Sequence, residues 1–506
     1  SNINGTFYEN RATELGGAIG GVDFVINSNI TGYFIKNRAK IGGAMDLPFL
    51  QYSNIDGYFV NNTAAIGGAI TACYVNASQI NAHFVNNTVV NYQMGEDIVP
   101  EIIEYNDHAL PVGLGGAICI VGAAENSMFT GDYVLNSALA GGAIFVYGME
   151  IPRLKMVLPF NNNAIYSHFV YNGAYEGGAI LINATSIEND INSNFISNNA
   201  MDEGIVSFYR ESINDTISYC LFMNNQAKSI IYVESAYGTN ITRNILLNAV
   251  RTYDIYHSSG SKLNANENWF GHNATNYKEF PLINGTAECS TWLFLNATAN
   301  PNPVQYLGSS NIVFDLFRYN VTGSIEKYNT TILEPVGLGI TSTNGNVDKH
   351  ISTFGDVIKF SSNGKKGIIT ASLANAQYSV EIKCVSRISS SDLEMDYLGA
   401  NYRIQVFDED GNPAVGETVK ITVTGITYVE KTDKDGYATL PIRLKPKTYA
   451  ITSTFKGTTV TKTLKVKNTL KAKKSFTVKK TAKKLVLKAT LKWSNGKAIT
   501  GKKVTT

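Results

Sequence analysis

Cysteine is scarce in this chain of 506 residues, which carries five cysteines far apart and without a Cys-x-x-Cys pair. Without such spacing, neither a disulfide framework nor a tetrahedral zinc site is expected. We therefore expect the thiols to be small buried apolar groups in a reducing or anaerobic setting. The five are Cys73, Cys119, Cys220, Cys289 and Cys384.

Long apolar runs are also missing, and no stretch approaches the roughly 20 apolar residues of a membrane-spanning helix. The chain starts with Ser-Asn-Ile and stops at Val-Thr-Thr, both inside a repeat. We therefore expect a fragment of a longer protein, whose targeting signals lie elsewhere.

Acidic residues are absent from residues 468–506, which hold 12 Lys. Subtracting those 12 charges from the net charge of +2 leaves −10 on residues 1–467. The basic end contains no nucleic-acid reading module, so nucleic acid is not an expected partner. Two interpretations remain for the lysines: they contact an anionic cell-wall polymer, or they solvate an exposed face.

A Phe-x-x-Asn motif recurs along the first half, usually with Gly-Gly-Ala-Ile five residues later, as in "FVNNTAAIGGAI" (59–70). Its period is near 25 residues, with two longer intervals. The Asn positions are 10, 37, 62, 87, 136, 172, 198, 225, 248 and 273. The residues three places earlier are Phe7, Phe34, Phe59, Phe84, Tyr133, Phe169, Phe195, Phe222, Ile245 and Phe270.

One large apolar residue per period, always at the same place, indicates coils that stack on one another. Short strand patterns separated by Asn-rich corners fill each period, and no helical periodicity interrupts them. The prediction is an all-β chain whose residues 1–300 form a parallel, right-handed β-helix. Its Phe column should lie inside, and its Asn column should lie at a bend where Asn adopts the left-handed conformation.

The paired motif resembles the polymorphic outer-membrane-protein repeat over residues 1–275. The segments "NENWFGHN" (266–273) and "CSTWLFLNATANP" (289–301) resemble the closing coil of adhesin-like surface proteins of methanogenic archaea. The resemblance implies an extracellular, wall-attached or secreted protein that works in adhesion. It carries no catalytic residue and no cofactor over to this chain.

After residue 300 the strand patterns lengthen, which predicts immunoglobulin-like sandwiches at 301–390 and 391–467. Gly411, Gly416 and Val419 match Gly496, Gly501 and Val504 at a constant offset of 85 residues. Residues 468–506 are therefore predicted to be the opening of a further copy. Such tandem modules resemble the bacterial-Ig-like stalk domains of surface adhesins.

The residue before each Phe forms a second column, which strand alternation points outward. Exposed rings in this column can contact a sugar. Alternatively, the column is a row of residues that favour β-structure and binds no ligand. The candidates for ligand contact are Tyr33, Tyr58, His83 and His168. The wider column includes Asp132, Asn194 and Trp269.

Thirteen Asn-x-Ser/Thr sequons occur, and none follows residue 329. We expect a few to be glycosylated if the protein is secreted. The candidates are Asn29, Asn61, Asn76, Asn183, Asn240, Asn284 and Asn320. The other sequons begin at Asn4, Asn86, Asn214, Asn273, Asn296 and Asn329.

Two insertions break the period, at 91–113 and at 148–162. Loops that project from a rigid rod are frequent recognition sites, so 91–113 is a second candidate for ligand contact. Its acidic residues lack the spacing of a known calcium loop. They are Glu96, Asp97, Glu101, Glu104 and Asp107.

The predicted function is a cell-surface adhesin that attaches to glycans or proteins of host or neighbouring cells, without enzymatic activity. Two alternatives stay open. Parallel β-helices also include polysaccharide lyases and glycosidases, which need carboxylates held across a groove; the candidates would be Asp202, Glu203, Arg210 and Glu211. The third interpretation is a purely structural envelope stalk.

Overall fold

The computed structural model describes the chain apart from a set of short segments. Those outside the description are 90–101, 106–107, 152–155, 249, 272–281, 333–334, 374–375, 474, 476, 479–480, 482–483, 485, 487 and 503–506. All strands that stack in the first half are parallel, so the predicted parallel β-helix is confirmed. Among the described residues, no helix has the length and apolarity to cross a membrane.

One long sheet of the β-helix carries the strands that contain the Phe column. Along its main path lie Asn2–Tyr8, Asn29–Ile35, Asn54–Val60, Gln79–Val85, Met128–Val134, Ala164–Val170, Asp190–Ile191, Thr216–Ser218, Asn240–Thr242, Leu263–Asn264 and Ala287–Glu288. In the later coils the single strand becomes two, and the second pieces are Asn194–Ile196, Leu221–Met223 and Ile245–Leu247.

A second parallel sheet follows each Gly-Gly pair. Along its main path lie Phe24–Ile26, Phe49–Gln51, Ile70–Asn76, Ile118–Glu125, Ile144–Tyr147, Ile180–Asn183, Val206–Ile213, Ser229–Tyr237, Tyr253–Gly260 and Ile283–Asn284. Shorter strands at its side are Met45–Asp46, Phe160–Asn161 and Ser186–Ile187. Two-residue strands pair at a third side: Thr63–Ala64 with Thr88–Val89, and Gly173–Ala174 with Asn199–Ala200.

The interior is an aromatic stack with one ring per coil. Neighbouring ring centroids lie 4.6–4.9 Å apart, close to the spacing of adjacent strands. The stack runs Phe7, Phe34, Phe59, Phe84, Tyr133, Phe169, Phe195, Phe222. The next member differs from the prediction: Leu246, not Ile245, pairs with Phe222, because the last coils shift the strand by one residue relative to the Asn.

The motif asparagines form a buried hydrogen-bond ladder along the rod. The backbone N and Nδ2 of Asn62 both donate to Oδ1 of Asn87, at 3.0 and 2.9 Å, and Nδ2 also donates to the Phe34 carbonyl at 2.8 Å. The same pattern links coil to coil from Asn10 to Asn248. Each amide therefore satisfies polar groups in the coil before it and the coil after it.

From Asn10 to Asn225, the predicted left-handed conformation belongs to the residue before the ladder Asn rather than to the Asn itself. Lys36, Asn61 and Asn86 have φ values of 54°, 56° and 53°. This places the sharp turn one residue earlier and leaves the Asn side chain free to point inward.

The two glycines of each pair have different roles. Gly67 has a φ of +63°, a backbone conformation that residues with a side chain rarely adopt. A Cβ on Gly68 would lie 2.1 Å from the Gly116 carbonyl oxygen of the next coil, so the second glycine permits close stacking.

A second polar ladder, absent from our sequence predictions, begins at serines. The Ser53 backbone N donates to the Ser78 hydroxyl at 3.1 Å, and the Ser78 N to the Ser127 hydroxyl at 3.2 Å. Asparagines continue it, with the Asn163 N donating to Asn189 Oδ1 at 2.9 Å. A single serine per coil is a weak sequence signal, which is why composition did not point to it.

The chain after the β-helix forms two further two-sheet units, and an apolar cluster lies inside each. In the first unit, one sheet contains Thr291–Asn300, Ser309–Asn320, Ile325–Lys327, Gly345–Val347 and Val357–Ser362. The other sheet contains Leu338–Thr343, Ile351–Ser352, Gly367–Leu373 and Ala376–Ile382, and a short 3-10 turn lies at Thr330–Ile332. In the second unit, one sheet contains Arg387–Ser389, Asn401–Phe407 and Tyr437–Pro441. The other sheet contains Leu393–Asp396, Thr418–Val423, Ile426–Lys431, Lys447–Phe455 and Thr458–Lys467. The immunoglobulin-like topology stays a prediction, and the first unit starts at Thr291, earlier than residue 301.

The β-helix and the first two-sheet unit share one apolar cluster. Trp269 is fully buried and meets the Phe354 ring edge-on at 5.8 Å. Arg318 bridges the joint by an ion pair with Glu267 at 2.7 Å, and Glu267 also binds Arg243 at 2.9 Å. The prediction that Trp269 is exposed was therefore wrong, because the following unit covers the end of the outward column.

The basic end contains two short strands, Leu470–Ala472 and Ala489–Leu491, which pair antiparallel. Among the described residues after Val466, no apolar side chain is buried. The described part of this segment thus contains no buried apolar core comparable with those of the preceding units.

Replacing Phe59 by Ala should lower the free energy of unfolding of the β-helix by about 3–5 kcal/mol, because it removes a buried ring from the stack. Tyr58→Ala is the matched control: the neighbouring ring points outward and should cost about 1 kcal/mol or less. Denaturant unfolding of both variants measures the difference. Equal losses would contradict the assignment of the two columns.

Candidate functional site

The outward column places polar and aromatic side chains of successive coils in one row. Strand register pairs Tyr33 with Tyr58, Tyr58 with His83, His83 with Asp132, and Asp132 with His168. Their inward neighbours are the buried rings of the aromatic stack, so the strand backbone fixes each outward side chain. The predicted candidates are therefore neighbours on a rigid sheet.

The rings of this column stack on one another. The Tyr33 and Tyr58 centroids lie 5.2 Å apart at 7°, and those of Tyr58 and His83 lie 4.7 Å apart at 16°. His83 Nδ1 contacts Asp132 Oδ2 at 2.7 Å. Tyr33 and Tyr58 are 51% and 43% exposed, so a ligand can reach both.

The stacking decides which atoms a ligand can meet. Both faces of Tyr58 are covered, by Tyr33 on one side and His83 on the other. Of the two tyrosines, Tyr33 alone keeps a face without a neighbouring ring among the described residues, since its partner in the preceding coil is Thr6. The column thus offers hydroxyl groups, ring edges and a carboxylate along its length, and a ring face suited to stacking on a sugar at one end.

The column changes character beyond His168. His168 is exposed and its Nδ1 accepts from Asn194 Nδ2 at 3.2 Å. Asn194 is almost fully buried, and the following members, Leu221 and Ile245, are buried as well. The accessible candidate site therefore extends from Tyr33 to His168.

The described part of the insertion at 91–113, residues 102–105 and 108–113, does not project as predicted. Ile102–Tyr105 and His108–Pro111 form an antiparallel hairpin. Ile103, Tyr105 and Leu110 are buried against the outer face of the second sheet, in a cluster with Ile66 and Cys119. An apolar outer face on these coils requires a cover, and the hairpin supplies it.

A buried polar pair holds this hairpin to the rod. The Tyr105 hydroxyl donates to Asp46 Oδ1 at 2.6 Å, and Asp46 has no exposed surface. Burial raises the pKa of Asp46 to about 6, although the Tyr105 hydroxyl opposes this shift. The acidic residues Glu96, Asp97, Glu101 and Asp107 lie outside the described residues, as does the side chain of Glu104.

The second insertion also contains a small hairpin, of Glu150–Ile151 with Met156–Val157. Glu150 pairs with Arg210 at 3.2 Å, and Arg210 Nε donates to Asn183 Oδ1 at the same distance. Met149 packs against the apolar cluster under the first hairpin.

The residues of the enzyme alternative are only partly brought together. Lys228 lies 3.5 Å from Asp202 and 3.6 Å from Glu203. Burial raises the pKa of Glu203 and also that of Glu176, whose carboxylate faces the Tyr209 hydroxyl. Arg210 is engaged with Glu150, and Glu211 is exposed.

Sequence reasoning missed Glu176 and Tyr209. A sequence signal for Glu176 was available: the residue before Gly-Gly is apolar at Ile41 and Ile66 but acidic at Glu176. Among the described residues, no group of three or more His, Cys, Asp or Glu is arranged to hold a metal ion. All five cysteines are buried, as expected.

The candidate glycosylation residues lie in different settings. Asn29 is exposed at a strand start, and Asn284 ends a short strand. Asn61 and Asn76 accept amide hydrogen bonds from Asn86 and Asn126 of the next coil, while Asn183 accepts from Arg210. The remaining two are Asn240, which donates to the Gly238 carbonyl, and Asn320, which ends its strand just before a turn. Asn273 lies outside the described residues.

No protein-family model and no curated protein matches this chain. Solved structures match parts of it. Domains 1–6 of the surface layer protein SbsC align at 12% identity over 41% of this chain and 31% of that chain, with a TM-score of 0.15. The I9–I11 tandem from titin aligns at 14% identity over 37% and 69%, with a TM-score of 0.14.

A third match is the Bacteroides ovatus mixed-linkage glucan utilization locus protein SGBP-B, in complex with a mixed-linkage heptasaccharide. It aligns at 11% identity over 36% of this chain and 62% of that chain, with a TM-score of 0.15. This chain spans about a third of the length of SbsC domains 1–6. TM-scores this far below 0.5 carry no argument about function.

The hairpin 102–111 should be held more firmly in acid than at neutral pH. The folded pKa of Asp46, about 6, lies above the roughly 3.9 of an exposed Asp. The stabilising contribution is therefore fully present below about pH 4 and is lost as the pH rises through 6. Hydrogen exchange of the hairpin amides, corrected for intrinsic rates, should show weaker protection at pH 7.5 than at pH 5.

Asp46→Asn is the control, because an amide keeps an acceptor for Tyr105 but does not titrate. Its hairpin should show the same protection at both pH values. A wild-type hairpin with equal protection at pH 5 and 7.5 would contradict the prediction.

Proposed function

We propose that this chain is part of an extracellular, cell-surface adhesin-like protein. Its β-helix contacts glycans or proteins of host or neighbouring cells, and the two-sheet units carry the β-helix away from its own cell. The observation that carries the proposal is the exposed column of Tyr33, Tyr58, His83 and Asp132. These side chains lie on a rigid sheet whose core does not use them.

The chemistry of the column favours a hydroxyl-rich or amide-rich partner. Tyrosine hydroxyls both donate and accept hydrogen bonds, and the Asp132 carboxylate accepts them. Stacking on the neighbouring rings fixes the orientations before a ligand arrives, which lowers the entropic cost of binding. The motif resemblance to surface adhesins supports the same conclusion independently of the geometry.

Substitutions at the two tyrosines separate hydrogen bonding from ring stacking. Both faces of Tyr58 are covered, so Tyr58→Phe should weaken binding nearly as much as Tyr58→Ala, by about 2- to 10-fold for one hydrogen bond. At Tyr33, which has an open face, Tyr33→Phe should lose less than Tyr33→Ala. Binding to a glycan array and to whole cells measures the effect.

Tyr237→Ala is the control, since Tyr237 is 44% exposed on the other sheet. It should bind like the wild type. If a Tyr33→Ala, Tyr58→Ala, His83→Ala triple variant attaches unchanged, the column is not the contact surface.

The enzyme alternative is favoured by one observation, the raised pKa of Glu203 and Glu176 beside Tyr209. A glycosidase or lyase would release soluble fragments from the bound polysaccharide, and Glu203→Gln would abolish the release. Binding without fragments supports the adhesin. Neither binding nor fragments would support the envelope stalk.

The lysines of the basic end form a second proposed contact, with an anionic polymer of the cell wall. Lys471, Lys473 and Lys488 are exposed and line one groove beside the two paired short strands. Like charges so close together attract a polyanion over a distance of about 10 Å at moderate ionic strength.

A Lys471→Gln, Lys473→Gln, Lys488→Gln variant should therefore elute from a polygalacturonate column at lower salt than the wild type. The matched control replaces Lys349, Lys359 and Lys365, which are equally exposed on the first two-sheet unit. If both triple variants elute together, net charge rather than this groove governs retention.

A further inference from the structure

Among the sequons that the structure describes, two share a local geometry that the other described ones lack. The Thr322 hydroxyl donates to Asn320 Oδ1 at 2.6 Å, and the Thr322 backbone N donates to the same oxygen at 3.0 Å. Asn329 repeats the arrangement, accepting from the Thr331 hydroxyl at 2.7 Å and from the Thr331 N at 3.2 Å. In both, the sequon hydroxyl is bonded to the sequon amide.

Sequons of the β-helix make other contacts, which the stacked coils impose. The Thr31 hydroxyl of the Asn29 sequon points to the Ile3 carbonyl, in the neighbouring coil. The Ser78 hydroxyl of the Asn76 sequon donates to a backbone carbonyl and accepts from Ser53. Asn86 donates its Nδ2 to Asn61, so the amide of each is engaged by the other.

Access to a transferase also separates the two groups. Within the stacked coils, Asn29 lies on a strand bonded to coils on both sides. Asn61 and Asn86 directly follow such strands, and their backbone N groups donate to carbonyls of the next coil, so drawing one out breaks several backbone hydrogen bonds. Asn320 ends its strand, and Asn329 is exposed just before the short 3-10 turn. The segment between them contains only the short strand Ile325–Lys327, which is paired on one side.

We propose that Asn320 and Asn329 are the N-glycosylated residues of the folded chain. The reaction joins Asn Nδ2 to the anomeric carbon of a sugar carried by a lipid-linked phosphate. The bond from that carbon to the phosphate oxygen breaks, the lipid phosphate leaves with the bonding electrons, and the Nδ2 proton passes to a base of the transferase. The two donors on Oδ1 stabilise the negative charge that this proton loss places on the amide.

This inference uses the extracellular location in the proposed function, but it is tested without it. The full chain is incubated with a purified oligosaccharyltransferase that accepts Asn-x-Ser/Thr, together with a lipid-linked oligosaccharide. Peptide mass spectrometry then gives the occupancy of each sequon. Asn320 and Asn329 should be modified at least tenfold more than Asn61, Asn86 and Asn240.

The same sequons as short synthetic peptides are the control, because a peptide has no coil to hold it. All five peptides should be modified to a similar extent. A folded chain that is modified equally at the coil sequons, or unmodified at Asn320 and Asn329 while their peptides react, would overturn the proposal. Adhesion assays do not enter this result, so failure of the proposed function would be seen separately.

Discussion

The buried asparagine ladder is the interaction on which the rest of the β-helix depends. Each Asn turns the chain at a corner where backbone groups would otherwise be left without partners. Its Oδ1 accepts from the preceding coil, and its Nδ2 reaches the coil on either side. This links consecutive coils at a fixed register, because a one-residue slip would leave both donors unsatisfied in the interior. Phe stacking and glycine contacts then follow at the same spacing.

That register explains why surface residues far apart in sequence become neighbours. His83 and Asp132 are separated by an insertion, yet they touch because Phe84 and Tyr133 stack beneath them. The insertion leaves the coil after one ladder Asn and returns before the next Gly-Gly pair, so it does not disturb the stack. A rigid interior thus permits variation outside it, which suits a protein that presents surfaces to partners.

The outer faces of the rod differ along its length, and the coverings differ with them. Apolar outer residues such as Ile66 and Cys119 carry the 102–111 hairpin, and Leu221, Ile245 and Trp269 carry the first two-sheet unit. The outward column from Tyr33 to His168, on the sheet of the Phe column, stays exposed. Covered faces are apolar because burial there removes hydrocarbon from water, whereas the open column bears hydroxyl, imidazole and carboxylate groups.

The sequence by itself determined the coil period, the parallel β-helix, the inward Phe column and the outward row of Tyr33, Tyr58 and His83. These features follow from the alternation of side chains along a strand and from the repeated motif, and both can be read from one sequence. Only the tertiary structure showed that the strands 102–105 and 108–111 pack against the β-helix, that Trp269 is buried and that Leu246 takes the place of Ile245 in the core. It also decided that Tyr58 shows a ligand its edge rather than its face. Each of these depends on what packs against a residue from elsewhere in the chain, and that is not encoded in local spacing.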